Sequence, residues 1–311
     1  MKKRLFFCLL AGQMLAAHAG EFDANRSALK SKLVRTNAIS NNNEKPGINE
    51  KFAYASSPKL HSSIALIYDQ QTQRPLYAKN SGTLAPIASI TKLMTAMVVL
   101  DAQQSLDEEI SIDVADIDTL KGTHSRLRIG TTYTRSELLK LALMASENRA
   151  ASALARTYPG GYDAAIAAMN AKAREFDMPN TRFLDPTGLN SDNVSTAHDL
   201  VKMVSAARGY PLIHQYTTTP SYSVDGWGKR ELRFNNTNPL VKNAAWDIGV
   251  SKTGYISEAG RCLVMEATIN QRPVIIVLLD SWGKNSRIGD ANRIKKWMES
   301  SNTYARTTTR G

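Results

Sequence analysis

The chain has 311 residues, of which 42% are hydrophobic and 22% are charged, and its formal net charge is +11. This is an ordinary globular composition, long enough for one large domain or two modest ones. No His-rich or Cys-rich cluster occurs at the spacing of metal ligands, so neither a metal nor an organic cofactor is predicted.

Residues 1–19 have the pattern of a secretory signal peptide. Three cations at residues 2–4 precede an apolar stretch at residues 5–17, and Ala17-His-Ala19 is a small-x-small cleavage site before Gly20. The apolar stretch is too short to span a membrane. We therefore expect export and no integral membrane segment after cleavage, with an uncleaved anchor as the alternative.

Cleavage removes the three cations and lowers the formal charge from +11 to +8. A basic exported protein is suited to contact an anionic envelope or wall polymer, although its charge is equally consistent with plain solubility. Export makes nucleic acid a poor partner, despite a sequence pI of about 9.6.

The first third of the mature chain is predicted to change from disorder to order. Residues 20–58 are polar, with little apolar periodicity, and indicate a disordered leader. Order is expected to begin near His61. Apolar runs at residues 62–68 and 75–79 predict a hairpin. A helix is predicted from Ser89 to about residue 102, because its apolar residues repeat at helical spacing.

The middle of the chain, residues 113–210, is rich in helical patterns. Helices are predicted over residues 136–155, 163–176 and 196–207. The last of these begins at Thr196, which is a suitable N-cap with Asp199 at the third helical position.

From residue 221 the pattern returns to strands. A turn at Asp225-Gly226 indicates a hairpin, three further strands follow, and an amphipathic helix and a polar tail at residues 301–311 complete the chain. The order predicts an α+β fold in which helices pack on one antiparallel sheet beside a helical subdomain, within one domain at residues 59–300. The predicted segments are residues 222–224, 231–234, 250–255, 261–269, 274–279 and 287–298.

Cys262 is the only cysteine left after signal cleavage, so an intramolecular disulfide is excluded. It lies in a strand-like run and is predicted to be a buried core thiol. A catalytic cysteine would need a histidine partner, and none of the five histidines has that pattern.

The first of three short strings with chemical meaning is Ser89-Ile-Thr-Lys92. A serine hydroxyl is a weak nucleophile and needs a base within hydrogen-bond reach. Residues three apart on a helix share a face, so Lys92 is positioned to be that base. Lysine acts as a base only if its pKa is lowered, by burial or by a second cation such as Lys252. Alone, this pattern is common on solvated helices.

The second string is Ser146-Glu-Asn148. In a non-helical turn, Ser146 and Asn148 can both project into a cleft. Ser146 would pass a proton between Lys92 and a leaving nitrogen, and Asn148 would donate its amide to a substrate carbonyl. An exposed mid-helix Ser-Glu-Asn is the competing interpretation.

The third string, Lys252-Thr-Gly254, lies in a predicted strand. Lys252 and Thr253 offer an ammonium and a hydroxyl to a carboxylate. Gly254 permits another backbone to approach closely, and the backbone N–H of Tyr255 would join that of Ser89 as an oxyanion donor. A lone Lys-Thr-Gly would be only a turn, but the three strings in this order on suitable elements make coincidence a poor explanation.

The chain resembles the penicillin-recognising serine D,D-peptidases, the low-molecular-mass penicillin-binding proteins, over about residues 60–300. The three strings are known as a set in penicillin-binding proteins and class A β-lactamases. Residues 181–189 (Thr-Arg-Phe-Leu-Asp-Pro-Thr-Gly-Leu) are also similar to a segment that these D-alanyl-D-alanine peptidases carry after the second string. Glu147, where many members have Asp or Gly, is a departure at the least chemical position.

The resemblance implies a β-lactamase/transpeptidase-like fold with a five-stranded antiparallel sheet. It also implies roles: Ser89 forms the acyl-enzyme, Lys92 accepts the proton and Ser146 shuttles it. The remaining implied substrate-binding residues are Asn148 for the peptide, Lys252 and Thr253 for the terminal carboxylate, and Gly254 and Tyr255 beside them.

Within the family, the polar leader and the short segment after the sheet are similar to the penicillin-binding protein 7 group, D-alanyl-D-alanine endopeptidases of the Gram-negative periplasm. Membership implies hydrolysis of D-alanyl–meso-diaminopimelate cross-links in peptidoglycan and covalent inhibition by β-lactams. The alternatives are a D-alanyl-D-alanine carboxypeptidase with the same residues, a β-lactamase, and a non-catalytic wall-binding protein. A β-lactamase is disfavoured because no Glu-x-x-Leu-Asn segment lies between the second and third strings.

Overall fold

The computed structural model describes residues 57–308, so the predicted signal peptide, nearly all of the predicted leader and residues 309–311 lie outside the described part of the chain. None of the helices described has the length and apolar character needed to cross a membrane. The strands are β1 (Ile64–Asp69), β2 (Arg74–Lys79), β3 (Ala85–Pro86), β4 (Glu109–Ser111), β5 (Thr132–Thr134), β6 (Val194–Ser195), β7 (Ser221–Asp225), β8 (Glu231–Asn235), β9 (Asp247–Ile256), β10 (Gly260–Ile269) and β11 (Arg272–Ser281). The helices are α1 (Lys92–Asp101), α2 (Arg135–Met144), α3 (Asn148–Arg156), α4 (Gly161–Glu175), α5 (Ala197–Ala207), α6 (Pro211–Thr217) and α7 (Ser286–Thr308), with short 3₁₀ turns at Ala88–Thr91, Val114–Asp116, Trp227–Lys229 and Pro239–Lys242.

The main sheet has five antiparallel strands in the order β2-β1-β11-β10-β9, which confirms the predicted fold. The inner strands β10 and β11 place Val264 opposite Val277. β9 is the edge strand and places Lys252 opposite Val264. The third string therefore lies on the edge of the sheet, where side chains and backbone can face a cleft.

Both faces of the sheet are covered, which explains why β10 and β11 are nearly continuous apolar runs in the sequence. Val264 and Val277 belong to the core shared with the helical region, whereas Leu263 and Ile276 belong to a second core that includes Trp297 of α7. Because strand residues alternate between faces, each strand contributes to both cores. The sheet is thereby fixed from two sides.

Helix α1 lies in the centre of the helical region, in contact with α2, α3, α4 and α5. Leu93, Met94 and Met97 have no exposed surface. Truncating such a side chain to alanine costs about 2–5 kcal/mol, because a cavity remains where it packed. This packing fixes the first residue of the helix, Lys92.

Two helix predictions are wrong in ways that concern the first two strings. The helix predicted over residues 136–155 is interrupted, since α2 ends at Met144 and α3 begins at Asn148, with Ser146 between them at φ 61°. The helix predicted from Ser89 begins instead as the 3₁₀ turn Ala88–Thr91. Apolar periodicity continues across both places, because the residues on either side are buried in the same core.

Other local predictions are confirmed. Thr196 caps α5, and its hydroxyl accepts a hydrogen bond from the Asp199 backbone N–H at 3.2 Å. Cys262 is a buried free thiol, and burial raises its pKa to about 12. Helix α7 extends to Thr308 and so includes part of the segment predicted as a polar tail.

Candidate active site

Ser89 and Lys92 lie together at the start of α1, as their spacing predicts. Ser89 is on the 3₁₀ turn and Lys92 is the first residue of α1. Residues three apart are eclipsed in a 3₁₀ turn, and Lys92 Nζ is 2.9 Å from Ser89 Oγ. Ala88 enters the turn with φ 47°, in the left-handed region that non-glycine residues rarely occupy. The unusual backbone conformation of Ala88 therefore helps to set the direction in which the Ser89 side chain projects.

The amine of Lys92 is surrounded by acceptors. Besides the contact with Ser89, Nζ donates to Asn148 Oδ1 and to the backbone carbonyl of Thr187, each at 2.7 Å. A neutral amine has two N–H groups and one lone pair. When the two N–H groups remain on Asn148 and Thr187, the lone pair faces Ser89. The surroundings therefore orient the amine to accept the proton of the serine.

Burial lowers the pKa of Lys92 to about 7. The negative charges of Asp185, Glu147 and Asp118 oppose this shift, in that order. A pKa near the working pH is what a general base requires, because a substantial fraction is then neutral.

Ser146 and Lys252 form a second hydroxyl–amine pair, which joins the helical side of the cleft to the sheet side. Lys252 Nζ donates to Ser146 Oγ at 2.8 Å and to the Thr253 carbonyl at 3.0 Å. Burial lowers the pKa of Lys252 well below its ordinary value, and the cations Lys92 and Arg287 lower it further. Within the described residues, Ser146 is hydrogen-bonded to Lys252 rather than to Lys92.

The third string brings β9 against the turn that carries Ser89. A Cβ added to Gly254 would lie 2.9 Å from the carbonyl oxygen of Ile87 and 3.1 Å from the backbone nitrogen of Ser89. This confirms the close backbone approach predicted for Gly254. Tyr255, the next residue of β9, exposes its side chain. The strand edge and the serine turn therefore lie too close together for a side chain at residue 254.

A buried turn at residues 185–193 supplies one of the acceptors of Lys92. The carboxylate of Asp185 accepts hydrogen bonds from the backbone N–H groups of Thr187, at 2.7 Å, and Gly188. The side chain of Asn193 donates to the Asp185 carbonyl at 2.9 Å and to Thr91 Oγ1 at 3.1 Å. These bonds fix the Thr187 carbonyl toward Lys92 and connect the turn to the serine turn.

The sequence analysis assigned that turn no role of its own. It interpreted Asp185-Pro-Thr-Gly188 only as a turn similar to a family segment. A Cβ added to Gly188, at φ 81°, would lie 1.9 Å from the carbonyl oxygen of Ala88. The Pro-Thr-Gly pattern was therefore the available signal for a tight turn, but its contact with the serine turn depends on tertiary packing.

Arg287 and Thr237 are the other residues of the site that the sequence analysis missed. Arg287 is buried, and within the described residues its Nε and Nη1 have no hydrogen-bond partner. Its charge lowers the pKa of Lys252, so the two side chains are near each other. Thr237 Oγ1 accepts a hydrogen bond from Thr253 Oγ1 at 2.7 Å. Arg287 and the protonated form of Lys252 make this part of the cleft suitable for an anion.

A cavity of about 340 Å³ opens beside Asn148 and Thr187. Leu189 lies on the same side, and Asp118 and Tyr162 also line it. Its volume lies within the range typical of small-molecule pockets, about 300–1,000 Å³, and it adjoins the site through Asn148 and Thr187, the two acceptors of Lys92.

Comparison with known proteins gives consistent results. The sequence model of peptidase family S11, D-alanyl-D-alanine carboxypeptidase, matches residues 51–283. A D-alanyl-D-alanine endopeptidase of Pseudomonas aeruginosa is 48% identical over 79% of this chain and 80% of its own length. The Escherichia coli protein with the same description is 47% identical over 79% of each.

Solved structures agree with the sequence matches. The Streptomyces K15 DD-transpeptidase superposes with a TM-score of 0.72 at 29% identity, covering 78% of this chain and 98% of the other. Penicillin-binding protein D2 of Listeria monocytogenes, in a cefotaxime-bound form, gives a TM-score of 0.68 at 26% identity with the same coverage.

Proposed function

This chain belongs to the D-alanyl-D-alanine carboxypeptidase family S11 of serine peptidases, and from that premise we propose that it is a periplasmic D,D-endopeptidase. It hydrolyses the D-alanyl–meso-diaminopimelate cross-link of peptidoglycan through an acyl-serine intermediate. The observation that carries the proposal is the 2.9 Å contact between Ser89 Oγ and a fully buried lysine amine whose pKa is about 7.

Acylation begins with Lys92 as a neutral base. The Ser89 hydroxyl gives its proton to Lys92 Nζ while Oγ bonds to the carbonyl carbon of D-alanine. The negative charge that develops on the carbonyl oxygen is stabilised by the backbone N–H groups of Ser89 and Tyr255, which the contact at Gly254 brings to the same edge of the cleft.

Collapse of the tetrahedral intermediate breaks the carbon–nitrogen bond. The leaving amine takes the proton of the Ser146 hydroxyl, whose oxygen accepts a hydrogen bond from Lys252 and is therefore a better acid. Lys92 passes the proton that it took from Ser89 to Ser146, so Lys92 is neutral again. Water then attacks the acyl-serine ester and gives a proton to Lys92. The bond between the acyl carbon and Ser89 Oγ breaks, Lys92 returns the proton to Oγ, and the peptide leaves with a free D-alanine carboxylate.

The cationic part of the cleft holds a substrate carboxylate. Lys252 and Thr253 supply an ammonium and a hydroxyl, and Arg287, whose Nε and Nη1 have no partner within the described residues, supplies planar donors suited to a carboxylate. Asn148 donates to a peptide carbonyl. A bound carboxylate would explain why Lys252, whose pKa is lowered, and Arg287, with two nitrogens unpartnered in the described part of the chain, lie near each other.

A D-alanyl-D-alanine carboxypeptidase is the alternative, because it would use the same residues. The names of the relatives favour the endopeptidase: those at 47–48% identity are D-alanyl-D-alanine endopeptidases, whereas the carboxypeptidase DacF of Bacillus subtilis is 32% identical. The test is digestion of purified cross-linked muropeptide dimers, with Ser89→Ala as control. The proposal predicts monomers, and intact dimers with shortened ends would overturn it in favour of the carboxypeptidase.

A β-lactamase would share the acylation step but needs fast release of the acyl group. We expect stable acylation by penicillins, because no Glu-x-x-Leu-Asn segment lies between the second and third strings to supply a deacylating base. Asp185, the buried carboxylate of the nearby turn, is occupied by backbone N–H groups. Rapid turnover of nitrocefin would contradict this expectation.

A further inference from the structure

A surface loop on the helical side of the cleft, residues 118–123, is organised around one carboxylate. Asp118 Oδ1 accepts hydrogen bonds from the backbone N–H groups of Leu120, at 2.8 Å, and Lys121, at 3.0 Å. Asp118 Oδ2 accepts from both the backbone N–H and the hydroxyl of Thr123, each at 2.7 Å. The hydroxyl proton of Thr123 is therefore committed to Asp118.

The lone pairs of the same hydroxyl face the active site. Thr123 Oγ1 accepts a hydrogen bond from Asn148 Nδ2 at 2.9 Å, and Asn148 Oδ1 accepts one from Lys92 Nζ at 2.7 Å. A chain of hydrogen bonds with one consistent direction thus runs from Lys92 through Asn148 and Thr123 to Asp118. The chain begins at an amine, which donates, and ends at a carboxylate, which accepts, so both ends suit this direction.

These contacts fix the plane of the Asn148 carboxamide. The amide oxygen and nitrogen have nearly the same shape, so their orientation depends on partners at both ends. With its lone pair toward Ser89, Lys92 donates to Asn148, which requires the oxygen on that side. Thr123 accepts from Asn148, which requires the nitrogen on the other side. One N–H of Nδ2 then remains for a ligand.

We propose that Thr123 and Asp118 are positioning residues for the reaction: they hold the Asn148 carboxamide so that its remaining N–H meets the substrate's peptide carbonyl. The inference deepens the proposed function and rests on the role given there to Asn148. Neither Thr123 nor Asp118 belongs to the three strings.

The loop is also attached to the opposite side of the cleft. Lys121 forms an ion pair with Glu258, in the turn between β9 and β10. Both side chains are about 30% exposed (29% and 30%), so the pair adds little stability by itself. It nevertheless places the loop between the strand that carries Lys252 and the helix that carries Asn148.

The test compares two β-lactams that differ in the group Asn148 would bind. Benzylpenicillin has a side-chain amide carbonyl, whereas 6-aminopenicillanic acid has a free amine in its place. Thr123→Val removes the hydroxyl and keeps the shape. We expect acylation of Thr123→Val by benzylpenicillin to slow roughly three- to tenfold, the effect of one hydrogen bond, and acylation by 6-aminopenicillanic acid to stay within about twofold.

Three further variants make the test specific. Thr123→Ser, which restores the hydroxyl, should recover most of the rate with benzylpenicillin. Asp118→Asn keeps the turn acceptor Oδ1 but loses the acceptor for the Thr123 hydroxyl, so it should show the same selective loss. Thr132→Val, on β5, is the matched control and should change neither rate, since Thr132 is exposed and does not line the cavity beside Asn148.

The outcomes separate this inference from the proposed function. Equal slowing with both β-lactams, or no slowing in Thr123→Val, would overturn the positioning role. A wild-type protein that cleaves no cross-linked dimer but shows the selective loss would overturn the endopeptidase and leave the positioning role supported. Absence of acylation in the wild type would overturn both.

Discussion

The two sides of the catalytic cleft are built from different kinds of backbone. The sheet side is strand β9, in which Lys252, Thr253 and Gly254 are held by regular pairing with β10. The helical side consists of turns, and its backbone takes positive φ at Ala88 and Ser146, 47° and 61°. A strand is positioned by many equivalent bonds, whereas each turn depends on a few specific ones. The helical side should therefore be more sensitive to single substitutions.

The lysines of the two sides also differ, in their hydrogen-bond partners and in the charges near them. The amine of Lys92 contacts three groups from three separate segments, and nearby carboxylates oppose the fall in its pKa. Lys252 donates to Ser146 and to its own strand, and nearby cations deepen the fall. These surroundings suit the roles proposed for the two lysines, a base at Lys92 and a carboxylate-binding group at Lys252.

Removal of the amine on the helical side should have the largest effect. Lys92→Met keeps the length and burial of the side chain but removes the base, so acylation by benzylpenicillin should fall about a hundred- to ten-thousandfold. Stopped-flow or quenched intact-mass kinetics measures the rate, and thermal melting checks the fold. Lys202→Met, on the surface of α5, is the matched control. A fall of less than tenfold in Lys92→Met would mean that another group takes the proton.

Glycine substitutions compare the two sides directly. Gly188→Ala places a Cβ 1.9 Å from the Ala88 carbonyl oxygen and requires a backbone shift, whereas in Gly254→Ala the nearest atom is at 2.9 Å. A displacement of about 1 Å at the serine turn is expected to slow acylation about a hundredfold, so Gly188→Ala should be clearly worse than Gly254→Ala.

Gly82→Ala is the control for both glycine variants, because a Cβ there meets nothing within 4 Å and the backbone has no positive φ. The same acylation assay is applied to all three proteins. If Gly254→Ala proved the more damaging variant, the contrast between a robust strand and sensitive turns would be wrong.

The pH dependence tests the electrostatic difference between the lysines. Since Lys92 must be neutral to act, acylation at saturating penicillin should rise with pH through a midpoint near 7. The charge of Lys92 lowers the pKa of Lys252. Because repulsion acts on both partners, the pKa of Lys92 should rise in Lys252→Met and the midpoint should move to higher pH. A midpoint that stayed in place or moved lower would show that Lys252 does not repel Lys92.

The same shift has a consequence for folding. The pKa of Lys92 is lowered from 10.5 to about 7 in the folded protein, so between these values the unfolded chain binds more protons. The contribution of Lys92 to the free energy of unfolding therefore increases as pH rises through this window. Urea titrations of the wild type and Lys92→Met at matched pH values measure it.

The smallest effect is expected on the sheet side, at Thr237. Thr237→Val removes the acceptor that orients the Thr253 hydroxyl. The apparent dissociation constant for penicillin should rise roughly three- to tenfold, with little change in the limiting acylation rate. Thr237→Ser should restore the wild-type constant, and a fall in the limiting rate instead would place Thr237 in the acylation step.

The contrast between the two sides also decides what can be predicted from the sequence. The strand that carries Lys252 is visible as an apolar run with Gly254, and the structure confirms both the strand and the close approach. The break at Ser146 leaves no signal in the apolar periodicity, because a helix tolerates serine and the neighbouring residues keep the helical period. The pattern therefore predicts one long helix where the structure has two.

Contacts made by backbone or by distant residues are hidden for a different reason. The acceptor at Thr187 is a carbonyl that every residue carries, and only the turn around it makes it available to Lys92. Arg287 reaches the site because β11 and the start of α7 bring it there. Such residues can be found only when the tertiary structure is known.

The most direct test of the account is the intact mass of the mature protein after exposure to benzylpenicillin, measured beside Ser89→Ala. The account predicts one stable penicilloyl adduct on the wild type, located at Ser89 by peptide mapping, and none on the variant. An unmodified wild type with the penicillin intact, or an adduct that persists in Ser89→Ala, would contradict it.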